Sequence, residues 1–184
     1  LETIRERVQK PARYIGGEVN SVVKNPEKVD FRFAFCFPDL YEIGISHLGM
    51  KILYSLKNAR EDVWCERVFA PAPDMEGQMR ENGIPLYGLE SLEPICGFDM
   101  IGFTLQYELC FPTMLNMLDL AGLPVRSRVR ADLAPIVIAG GPCPVNPEPV
   151  AYFFDLFVLW GGGSAHLQVL YLPNKANTAG CHQA

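Results

Sequence analysis

No two of the six cysteines stand close together. Cys36, Cys65, Cys96, Cys110, Cys143 and Cys181 are separated by 14 to 38 residues, whereas zinc and iron-sulfur sites draw on pairs two to four apart. Neither CxxC nor CxxxCxxC occurs, and cysteines lying in apolar stretches act as small hydrophobes. Long apolar runs are lacking too: stretches such as Ile136 to Ala139 and Phe153 to Trp160 fall far short of the roughly 20 residues that cross a bilayer. No membrane association is expected. No basic leader followed by an apolar stretch opens the sequence, which starts at Leu1, so the chain reads as cytoplasmic. Excess positive charge is the third absence. Sixteen Lys plus Arg against 21 Asp plus Glu leave a net charge of -5, which provides no broad field for a phosphate backbone. Nucleic acid is not an expected partner. Arg5, Arg7, Lys10, Arg13, Arg126, Arg128 and Arg130 are read as solvated faces, with RNA contact the minority reading.

What is present suffices for one domain with a core: 184 residues, 49% hydrophobic and 20% charged. Residues 1–30 mix charge with Pro11, Gly16, Gly17 and Pro26 and read as a short basic helix followed by an irregular lead-in arm outside the core. From Phe31 the pattern alternates. Phe31 to Phe37 is an aromatic-rich strand stopped by Pro38-Asp39. Ile45 to Asn58 carries Leu48, Ile52, Leu53 and Leu56 at helical spacing, with Ser46 as N-cap. Val63 to Phe69 is a strand, Asp74 to Glu81 a helix and Pro85 to Leu89 a short extended piece. Asp99 to Leu105 is a strand, Leu109 to Leu120 a helix ended by Gly122, and Pro135 to Ala139 a strand closed by Gly140-Gly141-Pro142. Glu148 to Phe154 reads as a helix and Leu156 to Leu159 as a last strand. Such alternation predicts an α/β fold: an open, mostly parallel, Rossmann-like sheet with helices on both faces. Its span is 31–159.

Ligands of open α/β sheets bind beyond the carboxyl ends of the strands, which singles out the loops Pro38 to Gly49, Gln106 to Glu108 and Gly140 to Glu148. Asp39, Tyr41 and Glu42 lie on the first, where turn and cap chemistry is the plain alternative. His47 is read as a residue of the first helical turn. Gln106, Tyr107 and Glu108 suggest a pocket edge, although an acid at position 108 also suits a helix start. Gly140 and Gly141 let a backbone approach a large flat or phosphorylated ligand. Asn146 and Glu148 belong to Asn146-Pro147-Glu148-Pro149, equally a rigid turn into a helix.

Four segments in order carry a likeness: Pro11-Ala-Arg-Tyr-Ile-Gly-Gly-Glu18, Phe37-Pro-Asp-Leu-Tyr-Glu-Ile-Gly-Ile-Ser-His-Leu-Gly49, Leu105-Gln-Tyr-Glu-Leu109 and Ala139-Gly-Gly-Pro-Cys-Pro-Val-Asn-Pro-Glu-Pro149. Over residues 10 to 159 the chain resembles the N-terminal, cobalamin-binding-like domain of a family of B12-binding-type radical S-adenosylmethionine (SAM) proteins. The resemblance implies a downstream barrel whose CxxxCxxC motif holds a [4Fe-4S] cluster that binds and cleaves S-adenosylmethionine. That barrel, the implied partner, is not in these 184 residues, so the chain is expected to be a fragment without radical chemistry of its own. The resemblance also implies cobalamin, with Asp39, Tyr41, Glu42, Gln106, Tyr107, Glu108, Gly140, Gly141, Asn146 and Glu148 beside it. DxHxxG, the usual source of an axial histidine, is missing: His47 is followed by Leu48-Gly49, one residue short, and Ile45 and Ser46 before it supply no aspartate. Any cobalamin would be held without that ligand.

Family members continue from the last strand into Gly-Glu-Gly-Glu, whereas this chain reads Leu159-Trp-Gly-Gly-Gly-Ser-Ala165, with no acidic residue after Asp155. Trp is encoded only by TGG, and TGG GGA GGG GGA AGC GCA read one base later encodes Gly-Glu-Gly-Glu-Ala. Residues 160–184 are therefore compatible with a frameshift product, the alternative being a natural short variant with a flexible tail.

Three functions compete on the sequence. The first is a cobalamin-type accessory domain whose three loops form the lower face of a corrin pocket. The second is a non-catalytic scaffold that docks the barrel and binds no cofactor. The third, a flavodoxin or receiver domain, fits the fold class, but Pro38-Asp39-Leu40 is no Ser/Thr-rich phosphate loop and Thr104-Leu105-Gln106 offers no strand-ending aspartate.

Overall fold

The computed structural model describes residues 2–130 and 135–159, so the tail beyond Leu159 lies outside the described residues. Five parallel strands, β1 (Phe31–Phe37), β2 (Val63–Phe69), β3 (Met100–Thr104), β4 (Ile136–Gly140) and β5 (Leu156–Phe157), form one sheet in the order β2-β1-β3-β4-β5. The helices are α1 (Glu2–Arg5), α2 (Tyr41–Ser46), α3 (Leu48–Asn58), α4 (Pro73–Glu81) and α5 (Phe111–Leu120). The expected open α/β architecture is present.

Period-2 alternation sorts each strand between two cores. Ala34 and Cys36 of β1 join Ile101, Phe103, Val137 and Ala139 beneath α4 and α5, whose Met75, Met79, Met114 and Met117 are buried there. Phe31, Phe33, Phe35 and Phe37 point the other way, toward Met50 and Tyr54 of α3 and Met100 and Ile138 of the neighbouring strands. Right-handed crossovers account for the division. The step from β1 to β2 carries α3 onto one face; the steps to β3 and β4 run in the opposite direction and carry α4 and α5 onto the other.

Several expectations are corrected. The lead-in contributes to the core: Ile4, Val8 and Tyr14 are buried in the α4/α5 cluster, and Ala72 donates its N–H to Tyr14 at 3.1 Å. The helix expected over 45–58 is two helices broken at His47, whose backbone is extended and whose Nδ1, not Ser46, accepts the N-terminal hydrogen bond from Met50 at 3.2 Å. Ser46 turns back onto the carbonyls of Glu42 and Ile43. Residues 85–89 add no strand to the sheet: Tyr87 bridges to Pro94 of the same loop, while Leu86 N donates to Leu120 O at 3.0 Å and Leu89 N to Arg67 O at 2.8 Å. With Pro147 and Pro149 removing two N–H donors, Glu148–Phe153 winds as a 3-10 helix.

Candidate functional site

Backbone bonds draw the loops after β3 and β4 together. Leu105 donates to Gly140 O at 2.8 Å, and Cys143 returns a bond to Leu105 O at 3.2 Å. Gly141 sits between them at φ 101°, where a Cβ would lie 2.7 Å from Leu105 O, so only glycine closes this turn without strain. The loop after β1 reaches the same end of the sheet: Tyr107 donates its hydroxyl to an oxygen of the Asp39 carboxylate. Tips of β1 and β3 are thereby latched.

Beneath these tips, on the α3 face, lies a cleft of ≈ 240 Å³. Phe33 and Phe35 form one wall, Gly102 and Ile138 the floor, and Gln106 and Gly141 part of the rim. Gln106 is oriented by its amide, which donates to Thr104 Oγ1 at 2.6 Å. No Asp, Glu, Lys or Arg side chain lines the cleft, so it favours an uncharged, flat group over an ion. Among the described residues no group of three potential metal ligands occurs, and no helix is long and apolar enough to cross a membrane.

Of the ten residues singled out from the sequence, Gln106, Gly140 and Gly141 line this cleft, and Asp39 and Tyr107 make the latch at the strand tips. Tyr41 instead donates to Glu18 Oε1 at 2.8 Å, and Glu42 accepts from Arg13 and Lys10 of the arm. Glu108, Asn146 and Glu148 are exposed, the two glutamates opening short 3-10 turns. Sequence reasoning passed over Phe33, Phe35, Gly102 and Thr104 and set His47 aside as a helix-turn residue; the structure adds all five to the cleft. A signal existed for the aromatics: Phe31, Phe33, Phe35 and Phe37 share one strand face, with a glycine on the neighbouring strand leaving room beside Phe33. His47, expected in the first helical turn, is instead the N-cap of α3, and the cap bond leaves Nε2 as the nitrogen free of it.

A wider groove of ≈ 940 Å³ separates the arm from α3. Its buried polar groups are spent on one another: Arg67 donates to Glu18 at 2.7 Å and to Ser21 at 2.8 Å, and Val22 N donates to Tyr54 Oη at 2.7 Å.

Two titrations check this geometry. The hydrogen bond to Asp39 pushes the Tyr107 phenol up to about 12, with burial adding to it. In Asp39→Asn the phenol is expected to fall back toward its ordinary value of about 10, read by ultraviolet titration of phenolate. The Arg13 guanidinium holds Glu42 down to about 2. Because the folded value lies below the unfolded one, this tie supports the docked arm above the ordinary glutamate range and is lost as pH falls toward 2. A carboxyl NMR titration should place Glu42 there, and Arg13→Ala should return it to the usual range.

The family described as "Radical SAM proteins, N-terminal" matches residues 49–184. The uncharacterized protein MJ0966 of Methanocaldococcus jannaschii is 26% identical over 127 residues, which cover 68% of this chain and 23% of that protein. The chain thus spans under a quarter of the length of that curated relative. No solved structure matches.

Proposed function

This chain belongs to the radical SAM N-terminal family, and on that premise we propose that it is the accessory α/β domain of such a protein, holding a cobalamin over its strand tips. One observation carries the reading: three loops converge above a single uncharged cleft lined by Gly102, Gly140 and Gly141 and walled by Phe33 and Phe35. At ≈ 240 Å³ the cleft is too small for a corrin ring, so the ring would rest on the loops and only a flat appendage would enter. The residues present suit that division. Glycines at 140 and 141 permit close approach, and Gln106 offers its amide at the rim. His47 has its Nδ1 committed to the helix cap, consistent with a cofactor held without a ligand at the DxHxxG position. Bound there, cobalamin would supply organocobalt chemistry to the barrel that the resemblance places downstream, the cluster and S-adenosylmethionine belonging to that barrel. The domain's own part is to seat and orient the ring.

Hydroxocobalamin should co-elute with the purified chain and change its visible spectrum. Leu53→Trp, which fills the cleft from α3, should weaken binding by about tenfold or more, the equivalent of roughly 1.4 kcal/mol, with the circular dichroism unchanged. A colourless chain with no spectral change overturns the reading. It would select the alternative, a scaffold that docks the barrel without a cofactor. One observation favours that alternative: Asp39, Tyr41, Glu42 and Tyr107 all have partners within the chain.

A further inference from the structure

α3 has a recess on each flank. Gly49 and Leu53 line the cleft at the strand tips, whereas Met50, Lys51, Tyr54, Ser55 and Asn58, on the opposite side of the helix, line the groove between α3 and the arm. The arm wall of that groove is anchored at both ends. Glu18 is held by Tyr41 at 2.8 Å and by Arg67 at 2.7 Å. Four residues on, Val22 donates its N–H to Tyr54 Oη at 2.7 Å and accepts from Trp64 Nε1 at 2.9 Å. Lys24 then donates to the carbonyls of Asn58 at 3.0 Å and Val63 at 2.5 Å. The ≈ 940 Å³ groove is thus formed before any ligand arrives, and its volume falls in the range of small-molecule sites.

Its lining is apolar on one part and uncommitted on another. Val22, Ile45 and Met50 supply apolar surface, and Val19 is fully exposed beside them. The side chains of Asn20, Lys51 and Ser55 bond to no other group among the described residues. Arg67 is 7% exposed; its Nε is taken by Glu90 and its Nη2 by Glu18 and Ser21, which leaves Nη1 without an acceptor among those residues. Two cations, Lys51 and Arg67, line the groove against one carboxylate, Glu18. That carboxylate is already spent on Arg67, Ser21 and Tyr41, so the charge left facing the groove is the Lys51 ammonium. We propose that the groove binds a small amphiphilic monoanion, its apolar body against Val19, Val22, Ile45 and Met50 and its acid group beside Lys51. Ser55 stands one turn along the same flank and offers its hydroxyl to that acid group. A cation would meet Lys51 instead, and a neutral body would gain nothing from it. The two recesses share no lining residue, so the proposal is independent of the cofactor reading.

The test titrates the 184-residue chain with 1-anilinonaphthalene-8-sulfonate and, in parallel, with N-phenyl-1-naphthylamine, the same fluorophore without its sulfonate. Both are added in a Leu53→Trp background, which closes the strand-tip cleft. Saturable fluorescence of the sulfonate dye is expected, with ¹⁵N amide shifts centred on residues 19–22 and 51–59. Lys51→Glu should weaken the sulfonate dye by about fivefold and the neutral dye by less than about twofold, as fits the removal and reversal of one exposed charge. Ser55→Trp, at an exposed position, fills the groove and should abolish the shifts with either dye; circular dichroism checks that each variant is folded. Shifts confined to Gly102, Gly140 and Gly141, an equal response of the two dyes to Lys51→Glu, or fluorescence that never saturates would each overturn the proposal. Hydroxocobalamin binding by the parent chain is read separately and leaves this result unaffected.

Discussion

Glu66→Ala is expected to destabilise the fold by about 3–5 kcal/mol, the usual cost of removing one partner from a buried ion pair. Glu66 lies within β2, and its side chain is wholly buried. Its carboxylate accepts from Arg32 Nη2 at 2.6 Å and from the Ser91 N–H at 2.9 Å. Arg32 is nearly as enclosed, stacked between Trp64 and Phe98 with its guanidinium 4.0 Å from the Phe98 centroid, and it also binds Glu93. Alanine at 66 would leave that cation with one exposed carboxylate and the Ser91 hydroxyl, and strip the acceptor from the loop that follows α4. Urea unfolding should show the midpoint falling with little change in slope. Glu66→Gln keeps an acceptor for Ser91 and should lose less. Pairing Glu66→Ala with Arg32→Met should recover part of the loss, since the orphaned cation goes too. A Glu66→Ala chain within about 1 kcal/mol of the parent would show the pair to be dispensable.

Gly102→Ala carries the second large effect, about 2–3 kcal/mol for one methyl group, near the upper end for overpacking a core. A Cβ at Gly102 would stand 2.4 Å from Phe33 Cζ. Phe33 is closely packed on the sides away from the cleft. It is 2% exposed, meets Phe35 edge-on at 6.0 Å and has the Lys57 ammonium 4.8 Å from its ring centre. Moving it would disturb the wall of the cleft, so the same substitution should weaken any ligand that enters there. Phe33→Leu in the Gly102→Ala background should restore stability relative to the sum of the two single changes; strict additivity would mean that ring and methyl do not meet.

How much of this was readable from the sequence depends on which forces decide each element. β1 and β2 were placed to the residue, because apolar runs too short for helices and bounded by turn residues admit little else. The strand-tip geometry followed from topology alone, which is why Gln106, Gly140 and Gly141, singled out from the sequence, line the cleft. Polar groups inside strands were not legible. Arg32, Glu66 and Arg67 look like outward positions of half-exposed strands, yet each is enclosed by residues far along the chain, such as Ser91, Glu93 and Glu90. The same blindness affected Tyr41 and Glu42, whose partners sit on the arm, and Lys57, 1% exposed beneath α3. Periodicity reports which face of an element is apolar; it carries no information about a partner 20 or more residues away. The break at His47 escaped for a different reason, since a histidine cap has no strong sequence signature.

The strand order has a consequence for how the chain is made. β1 lies inside the sheet, next to its β2 edge, but one of its two neighbours, β3, lies far along the sequence, with Phe33 paired to Met100. A chain emerging from the ribosome therefore holds β1 with one flank bare until β2, α4 and the long loop after it have been synthesised. Non-local parallel pairing of this kind makes for slow folding and for exposure to aggregation in the interval. Refolding from denaturant should accordingly be slow and concentration-sensitive, and a chaperone that shields bare strands should improve its yield.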